Sequence, residues 1–188
     1  MRILDNIFDP FWVTTLARKL YYEPWKPLNV ANSTTYPDGD IGSHRLMGTF
    51  WFQREEDSND LITYGNNIEL SHDLVRAFYA IQKRAQRNLK LTQIYGNLQF
   101  AGMDGTNHID APEHKQEISY VLMLSDGIHL ENDGGEFINE TTQEVVEFKN
   151  GRVIEINAED LHRGRAFNTQ YIPRFSVRFT GYEYRTNS

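Results

Sequence analysis

Pro173-Arg174-Phe175-Ser176-Val177-Arg178-Phe179 alternates polar and apolar residues along its length. Successive side chains on a strand point to opposite faces, so this stretch reads as a β-strand with Arg174, Ser176 and Arg178 on one face. The pattern continues to residue 184. Working back along the chain, residues 152–157, 144–148, 118–124 and 91–101 also read as strands. Turns carrying Gly, Asp and Asn separate them, such as Gly102-Met103-Asp104-Gly105 and Asn132-Asp133-Gly134-Gly135. A further strand is expected over residues 46–53. The N-terminal half adds two helices. Asp9-Pro10 is a capping aspartate followed by a proline at the first helical position, which predicts a helix over 11–22 ended by Pro24 and Pro27. Ser71 reads as the cap of a second helix over 72–88, with Leu74, Val75, Phe78, Ile81 and Ala85 at helical spacing. Two helices followed by many short strands predict an α+β, mainly-β domain, with the helices packed on an antiparallel sandwich.

The chain has 188 residues, enough to bury a sizeable core, and shows no internal repeat or domain boundary, so residues 1–188 are expected to form one domain. Cysteine is absent, which excludes disulfides, zinc-thiolate sites, iron–sulfur clusters and cysteine nucleophiles together. The formal charge of −7 weighs against nucleic acid as a partner. There is no apolar run of the roughly 18 residues that a membrane span needs. The first residues lack the apolar stretch of a signal peptide, so a cytoplasmic location is expected.

His108-Ile109-Asp110 places an imidazole and a carboxylate two residues apart, a spacing that presents both to one face of an extended segment. His162 lies 54 residues beyond His108, where a folded sheet can bring it alongside. Two histidines and one carboxylate leave about three positions open on an octahedral metal, the arrangement of non-haem Fe(II) oxygenases. Arg174, twelve residues after His162, supplies a fixed cation able to grip a carboxylate in bidentate fashion.

This ordered set, together with the Gly134-Gly135-Glu136 turn and the Arg-x-Ser strand, resembles the 2-oxoglutarate- and Fe(II)-dependent dioxygenases, in particular their prolyl 4-hydroxylase-like branch. The resemblance covers about residues 91–184. It implies a double-stranded β-helix, the jelly roll of cupin-like proteins, with the N-terminal helices packed on its major sheet. It implies that His108, Asp110 and His162 bind iron, that Arg174 binds the distal carboxylate of 2-oxoglutarate, and that Ser176 adds a hydroxyl to that grip. Many relatives also carry a tyrosine at the position of Met123; Tyr95, Tyr120 and Ser119 are the candidates to replace it. The implied reaction couples hydroxylation of a C–H bond to decarboxylation of 2-oxoglutarate to succinate and CO₂, with O₂ consumed and ascorbate a candidate reductant. A small molecule or peptide bearing a prolyl or other amino-acid residue is the expected substrate. Asp110 favours hydroxylation over halogenation, since related halogenases keep that position small.

Other readings bear on individual residues. Arg178 faces the same way as Arg174, with a structural ion pair as its plainer role and substrate contact as the alternative. His44 and His129 are loop residues, either of which could line a substrate mouth, and His72 follows the expected cap. His114 sits in a solvated loop, and Lys83, Arg84 and Arg87 read as a solvated helix face. The mouth loops are expected at residues 32–44, 54–60 and 111–117. Two rival functions remain: an oxidative nucleic-acid demethylase of the same superfamily, and a non-catalytic jelly roll that binds a sugar or partner.

Overall fold

The computed structural model describes residues 1–27, 46–55, 60–111, 116–127 and 132–184. Strand β1 (Arg2–Leu4) leads into helix α1 (Pro10–Tyr21). Asp9 caps α1 by accepting hydrogen bonds from the amides of Phe11 at 2.8 Å and Trp12 at 3.4 Å. That satisfies donors which the first helical turn leaves without partners. Strands β2 (Lys26–Pro27), β3 (Met47–Glu55) and β4 (Leu61–Tyr64) follow, then helix α2 (Ile68–Ala85). Asn67 caps α2 by accepting from the Leu70 amide at 3.0 Å. Ser71, the expected cap, lies inside the helix, where its hydroxyl donates to the Asn67 carbonyl, and His72 is likewise a helical residue. The helix starts one turn early because Leu70, four residues before Leu74, belongs to the same buried stripe.

Strands β5 (Leu89–Gln99), β6 (Glu117–Leu124), β7 (Phe137–Asn139), β8 (Glu144–Val146), β9 (Val153–Asn157), β10 (His162–Gly164) and β11 (Arg174–Glu183) complete the fold. They form a large antiparallel sheet, β1-β9-β6-β11-β5-β3-β2 with β4 on β3, and a small one, β10-β7-β8. Strand β11 lies at the centre of the large sheet, and its alternation sorts the molecule. Phe175, Val177 and Phe179 point to the helices and are fully buried with Leu16, Leu20, Leu74, Phe78 and Ile81. Their neighbours in register, Leu98, Gly96 and Ile94 on β5 and Leu124, Leu122 and Tyr120 on β6, share that face. Gly96 is required here, because a Cβ would lie 2.4 Å from the ring of buried Trp51.

On the other face, Val121, Met123, Ile154 and Ile156 meet Phe137 and Val146 of the small sheet in a second apolar cluster. Beside it runs a polar column: Arg174, Ser176, Arg178 and Thr180, paired across β5 with Gln99, Asn97, Tyr95 and Gln93. Arg87, expected on a solvated helix face, is exposed but lies past the end of α2, where it bonds Glu155 at 3.0 Å and Glu183 at 2.5 Å and ties that end to the sheet. Among the described residues no helix is long and apolar enough to cross a membrane.

Two stability outcomes follow. Phe78→Ala empties a site walled by Tyr120 and Phe179 and should cost about 3–5 kcal/mol in urea unfolding, while exposed Tyr79→Ala should stay within about 0.5 kcal/mol. Asp5 is clamped by Arg152 at 2.9 Å and Lys149 at 3.0 Å, and the Arg152 bond holds its carboxyl at about 2 against burial. A lowered folded value stabilises above the ordinary carboxylate range and is lost as pH falls through it. The stability gap between the parent chain and Asp5→Asn should therefore narrow from pH 6 towards pH 2; a gap that stays constant would mean the clamp carries no charge-dependent stability.

Candidate metal centre

His108 and His162 face each other through an isolated antiparallel bridge, in which each backbone amide donates to the other residue's carbonyl, at 3.0 and 2.9 Å. Asp110 is fixed next to them by its amide, which donates to the Ala158 carbonyl at 2.7 Å. His108 and Asp110 are thus not neighbours on a regular strand, as their spacing suggests. A single bridge and the bend after it bring them together. Both imidazoles are oriented from behind: Nδ1 of His108 lies 2.8 Å from the Thr106 carbonyl, and Nδ1 of His162 lies 2.7 Å from that of Asp160. A carbonyl only accepts, so each Nδ1 carries the hydrogen and each Nε2 is left with a lone pair. The Phe137 ring stacks on His162 at a centroid distance of 5.2 Å and restrains it further.

Those two Nε2 atoms point at one carboxylate oxygen, Asp110 Oδ1, at 3.8 Å from His108 and 3.6 Å from His162. The three ligand atoms lie within 4.8 Å of one another. Three lone pairs turned together repel unless a cation sits between them, and two nitrogens with a carboxylate suit a borderline divalent metal. The second carboxylate oxygen, Oδ2, is buried with no hydrogen-bond partner among the described residues. The donor set and its supporting carbonyls fit a metal ion. Burial pushes the Asp110 carboxyl up, but the positive charge around it, the Arg178 guanidinium first and the imidazoles when protonated, holds the group well below the usual range. Asp110 is therefore an anion at neutral pH. Arg178 donates through Nη1 to Asp110 Oδ1 and through Nη2 to Gln93 Oε1.

Arg174 is fully buried on the same face. Its Nε donates to the Gly135 carbonyl at 3.0 Å and its Nη1 to Gln99 Oε1 at 2.6 Å. Nη2 has no acceptor among the described residues. Burial pushes its pKa down to about 10, against the pull of Glu136 and Asp104, so it stays a cation at neutral pH. Gly164 makes room for it, since a Cβ there would lie 3.0 Å from Nη1. Gly135, at φ +79°, turns its carbonyl to Arg174 in a backbone conformation suited to glycine. Glu136 pairs with Arg165 at 3.9 Å.

Ser176 lies two residues from Arg174 on the shared face, where it pairs with Met123 and Asn97. Tyr95 is on this face too, but opposite Arg178 rather than Arg174, with the Arg178 guanidinium 5.7 Å from its ring centroid. Tyr120 is not on it. It points to the helices, with its ring against Phe78 and its hydroxyl pushed up in pKa by burial and Glu155, so it cannot assist Arg174. Met123 is buried in the apolar cluster, and Ser119 faces Thr180 with hydroxyls 3.4 Å apart. His44, His114 and His129 lie outside the described residues, as do the expected mouth segment 32–44, residues 56–59 of segment 54–60 and residues 112–115 of segment 111–117. Gln99 and Gln93, which hold Arg174 and Arg178, escaped the sequence reading. The polar residues at every second position from Gln93 to Gln99 carry their signal.

No family model matches the chain, and no curated protein matches it in sequence. Solved structures match it in fold. An oxidoreductase of the 2OG-Fe(II) oxygenase family from Burkholderia pseudomallei superposes with a TM-score of 0.69 at 17% identity, covering 97% of this chain and 84% of that one. A prolyl-4-hydroxylase from Pseudomonas putida superposes at 0.63 with 15% identity, covering 97% and 92%. A Trichoplax adhaerens prolyl hydroxylase, solved with a hypoxia inducible factor peptide fragment, superposes at 0.57 with 13% identity, covering 97% and 83%. The chain has the fold of these oxygenases.

Metal binding is checked by melting temperature. At a hundredfold excess over its Kd, Mn(II) or Co(II) should stabilise the chain by about 2.7 kcal/mol, a rise of roughly 5–10 °C. Asp110→Ala and His162→Ala should each remove that rise, and an unchanged rise in either would place the ion elsewhere.

Proposed function

We propose that the chain is an Fe(II)- and 2-oxoglutarate-dependent dioxygenase that hydroxylates a C–H bond of an amino-acid residue, with a prolyl group as the first candidate. The observation that carries this reading is the inward turn of His108 Nε2, His162 Nε2 and Asp110 Oδ1, three acceptors that need one shared cation. On this reading the large and small sheets are the major and minor sheets of a double-stranded β-helix, and the whole chain works as one domain.

Iron, 2-oxoglutarate and O₂ would supply oxidation of the C–H bond, coupled to release of succinate and CO₂. The chain's own residues do the rest. His108, Asp110 and His162 would hold the ion through two nitrogens and one carboxylate oxygen, and the ion would supply the redox chemistry that joins the cosubstrate's 2-oxo acid end to O₂. Arg174 takes the distal carboxylate with Nη2, which has no acceptor among the described residues, on a guanidinium already held by Gly135 and Gln99. A donor fixed before binding loses little side-chain freedom on binding. Ser176 stands two residues along as a second donor. Val121, Met123, Phe137 and Ile154 wall the interior with apolar surface, which keeps bulk water from the reacting end.

Fe(II) and 2-oxoglutarate added without oxygen should give a visible metal-to-ligand charge-transfer band. His108→Ala should abolish it. Arg174→Ala should weaken 2-oxoglutarate binding by about 10- to 100-fold, as loss of a charge-assisted hydrogen bond implies, with Arg174→Lys in between. A folded parent chain without a band contradicts the dioxygenase reading, and an Arg174→Ala variant with unchanged affinity moves the carboxylate anchor elsewhere.

A further inference from the structure

Arg178 holds Asp110 by Oδ1, the carboxylate oxygen that also faces both imidazoles. A divalent ion shared by those three atoms sits against the same oxygen, and a guanidinium that close to it is repelled. Metal binding therefore weakens the pairing of Arg178 with the anion it now holds. Its other contacts among the described residues are neutral: the Gln93 amide oxygen and the face of the Tyr95 ring. Nε of Arg178 is buried with no acceptor among the described residues. The Tyr95 hydroxyl is also buried and without a partner there, and burial pushes its pKa up to about 12, so it remains a donor at neutral pH. Gly48 makes space for it, since a Cβ at that position would collide with the hydroxyl. A cation with its side chain 18% exposed, beside unused donors, calls for an anion from outside.

The direction from which that anion comes is set by strand β11. Arg174 and Arg178 stand four residues apart on one face, about 13 Å at roughly 3.3 Å per residue. Gly164 touches Arg174, His162 two residues earlier faces Asp110, and Asp110 touches Arg178. The order is cosubstrate anchor, metal ligands, Arg178. A cosubstrate held by Arg174 fills the first interval, so Arg178, Gln93 and Tyr95 border the opposite side of the ligands, where the primary substrate approaches.

We propose that Arg178, braced by Gln93 and Tyr95, anchors a carboxylate of the primary substrate, which makes that substrate a free amino acid rather than a residue inside a polypeptide. A residue within a polypeptide has turned this carboxylate into a neutral amide and gives the guanidinium no charge to pair with. The proposal rests on the dioxygenase reading and narrows it.

The test uses the full chain, loaded with Fe(II) and 2-oxoglutarate without oxygen and titrated with the twenty common L-amino acids and their C-terminal amides. Binding is read as a perturbation of the charge-transfer band and a rise in melting temperature. At least one amino acid should bind, with its amide tenfold or more weaker. Arg178→Gln should lose tenfold or more of the affinity for the acid but not of that for the amide, and Arg178→Lys should fall between. Should Arg178→Gln fail to fold, the amide comparison and Arg178→Lys still decide. Equal binding of acid and amide, no binding by any amino acid, or retained affinity in Arg178→Lys and Arg178→Gln alike would overturn the proposal. An equal loss of affinity for acid and amide in folded Arg178→Gln would overturn it too, and would make Arg178 a positioning residue for Asp110. A parent chain that shows no band before any amino acid is added fails at the earlier step, which separates that failure from this one.

Discussion

Two imidazole nitrogens and a carboxylate oxygen, all acceptors, are held facing one another, and much of the described structure serves to keep them so. Backbone carbonyls fix each ring from behind, a mutual amide bridge sets the distance between the two histidine backbones, and Ala158 holds Asp110 beside them. Such an arrangement is costly to leave without a cation. In the chain as it stands, the Arg178 guanidinium supplies one. An ion taken up there, as proposed, would share that positive charge with the protein and couple its own binding to the neighbouring arginine.

The centre depends on how β11 divides the molecule. Its apolar residues weld the large sheet to the helices, while its polar residues line the space between the sheets. Because the period of a strand is two, slipping the register by one residue would exchange the arginines with the phenylalanines. The core thus specifies the site. Packing of Phe175, Val177 and Phe179 against α1 and α2 fixes which way Arg174 and Arg178 face. Glycines at 48, 96 and 164 then let Tyr95, Trp51 and Arg174 approach backbone closely.

Several features were legible in the sequence because they follow from period or spacing. The alternation of β11 showed its faces, and the order of His108, Asp110, His162 and Arg174 showed which side chains to bring together. The remainder depended on pairing. Strands β4, β7 and β10 are short and lack a pattern of their own; they exist because β3 and each other offer hydrogen-bond partners. The start of α2 is ambiguous in sequence, because a serine before a polar residue resembles a cap while Leu70 is already in phase with Leu74. Tyr120, three residues from Met123, faces the other way, as the period of a regular strand requires. Gln99 and Gln93 gain their roles only once β5 lies against β11.

X-ray absorption of the Fe(II)-loaded chain with 2-oxoglutarate tests the central claim most directly. The structure predicts a shell of nitrogen and oxygen donors with the outer scattering of two imidazoles, falling to one in His108→Ala and in His162→Ala. A shell without imidazole scattering, or one that either substitution leaves unchanged, would contradict it.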